Sequence, residues 1–562
     1  MKKTLIILSF ILAGMVSCSK GFEEMNMNPN QLSEVNPEFL LNTSVYQTLN
    51  ASCGSIKKTA LDNYVQYNYG QTNQYGRYGD VPTSTSQCFK NFYNGALLPL
   101  QIIADKVGDE DSYSNRFQIS RIWKAYVFSQ VTSIWGPVPM TNALTGSTSV
   151  AYDDEPEIYT ALLSDLKDAA DKLDKDGDYY LKDPVFPMDN GHSDIEKWIK
   201  FANSLRLRLS VRICNADRSL AMQNIGEVMT DESTLMSSND DNCIISWGDN
   251  EGTRNYYYDY FIVQTNNFDK ANAAGEGFLM HTAPYNDPRL PKFFDECHSP
   301  QMPEGFHWAP WWGTPKTAHT PVSGLYDSTN PHSGTPATAY SVMKDSYFAA
   351  AYRQMIMSYA EVELLKSEII HLGLGSGSDN EAGYYEKGVR ASMAQFGVTD
   401  AAAIDTYLST DGIELGTTSD LSGAEGEAYF MDYLKLSSGA IKDSDEDPIY
   451  HQIIMQQYIS MFNQAIDAWT LIRRSQVLDL PPHYQPETGY GAVNAGSAEV
   501  QFSYIPQRFV YPSSERQDNK EEVAKAVESF LGGNDKLDTK LWYAKPQLIN
   551  KKLKDIVDNY KK

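Results

Sequence analysis

Apolar residues recur at three- and four-residue steps along much of this chain, the spacing that lines one face of a helix. Ile195, Ile199, Ala202, Leu205 and Leu209 form one such stripe, and Ser193 and Glu196 stand in front of it at capping-box spacing. A second stripe runs through Met355, Tyr359, Val362, Leu365, Ile369 and Leu372 and meets Gly373, a residue type that ends helices. After a short loop, 373–377, Ser378-Asp379-Asn380-Glu381 reads as another capping box. A third stripe follows through Tyr385, Val389, Met393 and Phe396 and closes at Gly397. The last two stripes predict a helical hairpin, the unit of tetratricopeptide-like repeats. Further helices are expected at 86–106, 115–134, 155–173 and 449–475.

Periodicity fails over 240–347 and 408–436, which are dense in Gly, Pro, Asn, Trp and Tyr. Loops of that length are usually functional or disordered, and their aromatic content argues against disorder. The predicted fold is therefore mainly α. Tetratricopeptide-like helical hairpins form a scaffold, and long loop-rich insertions carry ligand binding. Residues 37–562 are expected to form a single domain.

The N-terminus changes the picture of where that domain works. Lys2 and Lys3 precede an apolar run, 5–16, too short to span a bilayer. It ends on Met15-Val16-Ser17-Cys18, which resembles a bacterial lipobox. Residues 1–17 thus read as a lipoprotein signal peptide, Cys18 as the lipidated residue, and 18–36 as lipidated N-terminus and tether. Several acyl chains on one cysteine give stable anchoring, at about 0.8 kcal/mol per buried CH₂.

The 562 residues carry a net charge of −25, a surface that repels phosphate backbones, so nucleic-acid binding is excluded. Five cysteines remain besides Cys18, an odd number with no C-x-x-C spacing, which favours buried free thiols. Zincin, nucleophile-elbow, P-loop and dinucleotide signatures are missing, and the histidines lack metal-ligand spacing. Ser55-Ile56-Lys57-Lys58 matches S-x-x-K and Ser378-Asp379-Asn380 matches S-D-N, but K-T-G is missing, which leaves both as chance. Asp174-Lys175-Asp176-Gly177-Asp178 fails as an EF-hand, because Lys172 falls where the first carboxylate belongs. An acidic turn after a helix is the reading; no cofactor is expected, with calcium in another geometry left open.

Three aromatic clusters fall in the aperiodic or loop segments. Sugar recognition needs flat apolar platforms for ring C–H faces and fixed polar groups for hydroxyls. The first cluster, 67–80, interleaves Asn73, Tyr75, Arg77 and Tyr78 with glycines. The second, 254–260, holds four tyrosines including Tyr258. The third is His307-Trp308-Ala309-Pro310-Trp311-Trp312. Trp308, Trp311, Trp312, Asn73, Tyr75, Arg77, Tyr78 and Tyr258 are the candidate ligand contacts.

Several stretches match one family in order. They are Ile134-Trp135-Gly136-Pro137-Val138-Pro139, Trp198 through Arg208, Tyr359-Ala360-Glu361-Val362-Glu363-Leu364-Leu365, Trp469 with Arg473-Arg474, and Ile505 through Pro512 with Glu515 and Asn519. Together with Asn28-Pro29-Asn30 they resemble the SusD/RagB family of outer-membrane lipoproteins. The resemblance implies a helical binding protein, not an enzyme, on the cell surface. It would capture oligosaccharides for a SusC-like TonB-dependent transporter; peptide cargo and, further off, a surface glycan hydrolase are the rival readings. The matched motifs are scaffold residues: Arg206, Arg208, Arg212, Arg473, Arg474 and Arg508 are expected on solvated or salt-bridged helix faces.

Overall fold

The computed structural model describes residues 36–69, 81–147, 149–264, 273–297, 310–311, 341–418, 447–478, 480, 483–484, 502–503 and 505–544. Cys18 and its tether, Asn73, Tyr75, Arg77, Tyr78, Trp308 and Trp312 lie outside these residues. Helix α1 (Pro37–Cys53) begins on an Asn36 cap with proline at its first position, where a missing N–H is harmless. Helices α2 (Pro82–Lys90) and α3 (Leu98–Val107) are joined by a π-helical stretch, Asn91–Leu97, into one run. Then come α4 (Ser114–Trp135), α5 (Glu155–Lys172), α6 (Ile195–Ile213) and α7 (Arg218–Met229), each packed on the next. Helices α8 (Tyr359–His371) and α9 (Glu381–Gln395) form the expected hairpin, turned by Gly373 at φ +60°. Their axes come close because Gly388 has no side chain; a Cβ there would lie 2.6 Å from Leu364. After α10 (Ala401–Leu408), α11 (Pro448–Ser460) and α12 (Ala465–Ser475) pack together, and α13 (Ser513–Asp518) and α14 (Lys520–Phe530) follow.

The boundaries correct several expectations. Asp194, not Ser193, caps α6, accepting the Lys197 N–H at 3.2 Å. Ser193 is occupied elsewhere: its hydroxyl accepts the Tyr180 N–H and its own N–H donates back to Tyr180 O. Asn380 caps α9 through the Gly383 N–H, while the Ser378 hydroxyl meets Tyr384. Met355 is no part of α8. It lies in β4 (Arg353–Met357), paired antiparallel with β2 (Cys243–Ser246), and Ser358 starts the helix by accepting from Glu361 N–H. The 449–475 helix is two, broken at 461–464, where Asn463 takes φ +70°.

One continuous core holds the scaffold, with Trp123, Trp135, Trp198 and Trp469 fully buried. The motif arginines are inside it rather than on solvated faces. Arg208 grips Glu361 with two bonds of 2.5 Å, and Arg208 and Arg212 both face Asp467. Arg474 does the same to Glu368 at 2.5 and 2.7 Å. Arg473 lies 3.6 Å over the Trp469 ring and donates to Ser133 O and Gln507 O. Arg508 donates to Trp135 O and pairs with Asp535. Arg206, on α6, reaches Asn224 and Glu227 of α7. Arg206, Arg208, Arg212 and Arg474 are helix-to-helix clamps, and Arg208 and Arg474 use the bidentate fork that arginine supplies and lysine does not.

The acidic turn at 174–178 is also structural. Asp178 accepts from the Asn115 N–H and Arg116 at the start of α4, and Asn115 Nδ2 donates back to Asp174 O. Among the described residues no cluster of three or more His, Cys, Asp or Glu could hold a metal ion. Cys53, Cys88, Cys214 and Cys243 are free thiols. No described helix is long and apolar enough to cross a membrane.

Candidate recognition face

Three β contacts at one place gather segments that are far apart in sequence. Strand β1 (Asn68–Tyr69) pairs with β3 (Ala273–Ala274), Ala273 bridges to Val342, and Phe294 bridges to Met343. Ala274 N–H donates to Ser341 O at 2.7 Å, Asp295 N–H to Val342 O at 2.7 Å, and Cys297 N–H to Pro310 O at 2.7 Å. The segment that follows Tyr69 carries Asn73, Tyr75, Arg77 and Tyr78. The segments flanking Pro310 and Trp311 carry Trp308 and Trp312. The first and third sequence clusters are thus rooted at one knot.

The knot is built for close approach. Gly275 sits where any Cβ would meet Gln66 O at 2.0 Å, and Gln66 itself takes φ +59°. Tyr67 and Tyr458 lock it to α11: their rings stack at 4.9 Å, Tyr67 Oη donates to Tyr458 O, and Tyr458 Oη donates to Val65 O. Trp311 rests half-buried against the core, pinning its own segment while part of its ring remains open.

The second cluster runs through a helical turn at 256–257 into the π-helical stretch Tyr258–Gln264. It forms a shelf of tyrosines mounted on cations. Tyr256 and Tyr260 are nearly parallel, with ring centres 6.2 Å apart and planes 15° apart. Lys58 Nζ sits 3.4 Å from the centre of the Tyr260 ring, and Arg254 lies 5.4 Å over Tyr258. Tyr256, Tyr258 and Tyr260 are half-buried, while Tyr257 turns inward to a buried triad. There its hydroxyl meets Asp62, and Lys57 Nζ reaches Tyr257 Oη at 3.0 Å and Asp62 Oδ1 at 2.9 Å. Burial raises the Asp62 pKa, and the Lys57 charge pulls it back. Burial likewise raises the Tyr256 phenol, against its bond to Ser55.

Of the eight predicted contacts, then, the described residues include Trp311 and Tyr258. Sequence reasoning missed Tyr256 and Tyr260 as a parallel pair, because it assigned the run to an extended segment with alternating faces. An extended segment would hold positions 256 and 260 roughly 13 Å apart, whereas helical winding brings their rings to 6.2 Å. It also missed Lys58 as the support of the shelf; the flanking Lys57-Lys58 pair is visible, but nothing in its spacing links it to position 260.

Residues 29–512 match a SusD-like family model described as starch-binding associating with outer membrane. Among solved structures, a Bacteroidetes AC2a SusD-like protein superposes at TM-score 0.71 with 21% identity, covering 91% of this chain and 100% of that one. A chitin-binding SusD homologue from Flavobacterium johnsoniae gives 0.70 at 19% identity, and a SusD homologue from Bacteroides uniformis 0.67 at 21%, with the same coverage of both chains. At such identities the likeness is one of fold. No curated protein matches the sequence.

Proposed function

The chain belongs to the SusD-like family, and on that premise we propose that it is a surface glycan-binding lipoprotein that hands oligosaccharides to a SusC-like TonB-dependent transporter. It is a binding protein and not an enzyme, as its family is. The observation that supports the cargo class is the tyrosine shelf, where Tyr256 and Tyr260 lie nearly parallel and cations stand over Tyr258 and Tyr260, together with the β1–β3 pairing and the Cys297–Pro310 bond that hold described residues of the first and third clusters. An aromatic face with interspersed amide, hydroxyl and guanidinium groups suits pyranose rings, whose C–H faces stack while their hydroxyls need fixed partners.

Capture is an equilibrium on several weak contacts, so that cargo can be passed on. The lipid on Cys18 keeps the protein concentrated beside its channel. Calorimetry of the purified protein against oligosaccharide and peptide panels tests the reading. Binding of saccharides without product release is expected, weakened by Tyr258→Ala and Trp311→Ala. Binding of peptides alone would move the cargo class, and release of shorter saccharides would remove the binding-only role. Pull-down of a TonB-dependent transporter from outer membranes tests the partner, and palmitate labelling lost in Cys18→Ala tests the anchor.

A further inference from the structure

Between α2, the 139–150 segment and α13 lies a cleft of about 1050 Å³ that shares no lining residue with the recognition face. Its walls are fixed from behind. Tyr93 Oη donates to Pro139 O at 2.7 Å, and Tyr152 Oη donates to Glu515 Oε2 at 2.8 Å. Asn519 accepts the Val150 N–H and donates back to Val150 O, which ties the helix to the facing segment. Such a site is preorganised, so a ligand entering it orders little that is not already ordered.

The lining has a definite chemistry. Phe89 and Tyr93 stack at 4.5 Å in its floor. Lys90 and Asn94, one turn apart, stand exposed on its rim. Opposite them Glu515 presents a half-buried carboxylate whose pKa burial raises, and serines fill the gaps between. Lys90 and Glu515 are not paired with each other. An anionic ligand would meet the carboxylates of Glu515 and Asp518, and an apolar one would strand both charges. A neutral polyol satisfies the two walls together, donating to Glu515 and accepting from Lys90 and Asn94. The volume is that of a ligand larger than a single sugar, at the upper end of the ~300–1,000 Å³ usual for small-molecule sites.

We propose that this cleft is a second saccharide site, separate from the recognition face and selective for short neutral oligosaccharides. It rests on the glycan reading above. The shelf and the cleft are neighbours: Ser55, bonded to Tyr256, meets Ser84 of α2 at 2.8 Å.

Titration of the full chain with maltotriose, with triacetylchitotriose and with the tightest neutral trisaccharide of the panel tests this. Two binding events per protein are expected. Lys90→Ala/Asn94→Ala, both exposed positions, weakens one of them at least tenfold, and Ser514→Trp, which fills the cleft from its rim, does the same. Tyr258→Ala weakens the other. A single event, untouched by either cleft variant but lost with Tyr258→Ala, overturns the second site and leaves the proposed function standing. Failure of every neutral saccharide to bind overturns both.

Discussion

Replacing Arg474 with methionine isolates one of the clamps on which the scaffold depends. Arg474 on α12 holds Glu368 on α8 through parallel bonds of 2.5 and 2.7 Å, and the Glu368 side chain is 0% exposed. Gln457 adds a 2.7 Å bond from α11, so three helices meet at this carboxylate. Removing the arginine leaves a buried carboxylate with only neutral donors, Gln457 and Tyr450. Breaking a buried pair by deleting one member costs about 3–5 kcal/mol; with the two neutral donors retained, about 3 kcal/mol is expected. Glu368→Leu alone strands the guanidinium and costs a similar amount. The double variant Arg474→Met/Glu368→Leu replaces both charges with apolar volume, and is expected within about 1 kcal/mol of the parent. At roughly 2 cal/mol/K per residue, the unfolding entropy of a chain this long is about 1 kcal/mol/K, so each single variant should lower Tm by about 3 °C. Urea titration followed by tryptophan fluorescence gives the double-mutant cycle. Single variants costing under about 1 kcal/mol, or a double variant equal to the sum of its singles, would refute the clamp.

Other expectations follow from the same geometry. His371 lies between Glu381 and Asp447, with Nε2 2.7 Å from the latter; burial lowers its pKa, but the two carboxylates outweigh this and hold it above 6.5. Its pairing therefore stabilises fully below about pH 6.5 and is lost as pH rises through the folded value, so His371→Gln should remove that pH dependence from Tm scans between pH 5 and 9. Glu155 is fully buried and burial raises its pKa to about 8, against a bond from the Trp542 N–H. The unfolded chain releases that proton from about pH 4.5 and the native state only near pH 8, so stability is lost across this window and the loss is complete above it. Glu155→Gln should raise Tm at pH 9 and leave it unchanged at pH 4. Gly388→Ala should cost about 1–3 kcal/mol by forcing α8 and α9 apart, read by the same urea titration. On the recognition face, Tyr258→Ala should weaken saccharide binding about tenfold by calorimetry, with Tm unchanged.

Helices were legible because their apolar spacing is local: the stripes at 195–209 and 359–372 and the glycine stops at 373 and 397 emerge at or near their expected places. Caps were less so, since Asp194 and Ser193 compete for one role and only the tertiary bond from Ser193 to Tyr180 decides it. Met355 sat at helical spacing yet pairs with Ile244 in a sheet, a partner 111 positions away that no periodicity reports. The motif arginines were visible as motifs, but their burial was not, because Glu361, Glu368 and Asp467 arrive from other helices. The aromatic clusters were identified by composition, whereas the meeting of β1, β3 and residues 341–343 depends on backbone bonds that composition does not report. The cleft left no trace at all, since positions 90 and 515 have no common pattern.

The knot at β1 and β3 has a consequence for how such a protein diversifies. Its strand pairings are main-chain bonds, which most side chains permit, so they restrict composition less than a packed core does. Closing a longer loop between fixed ends adds only about 0.6 kcal/mol per doubling. A longer connection between these fixed points therefore costs little in stability so long as the main-chain bonds at 68–69, 273–274 and 341–343 persist.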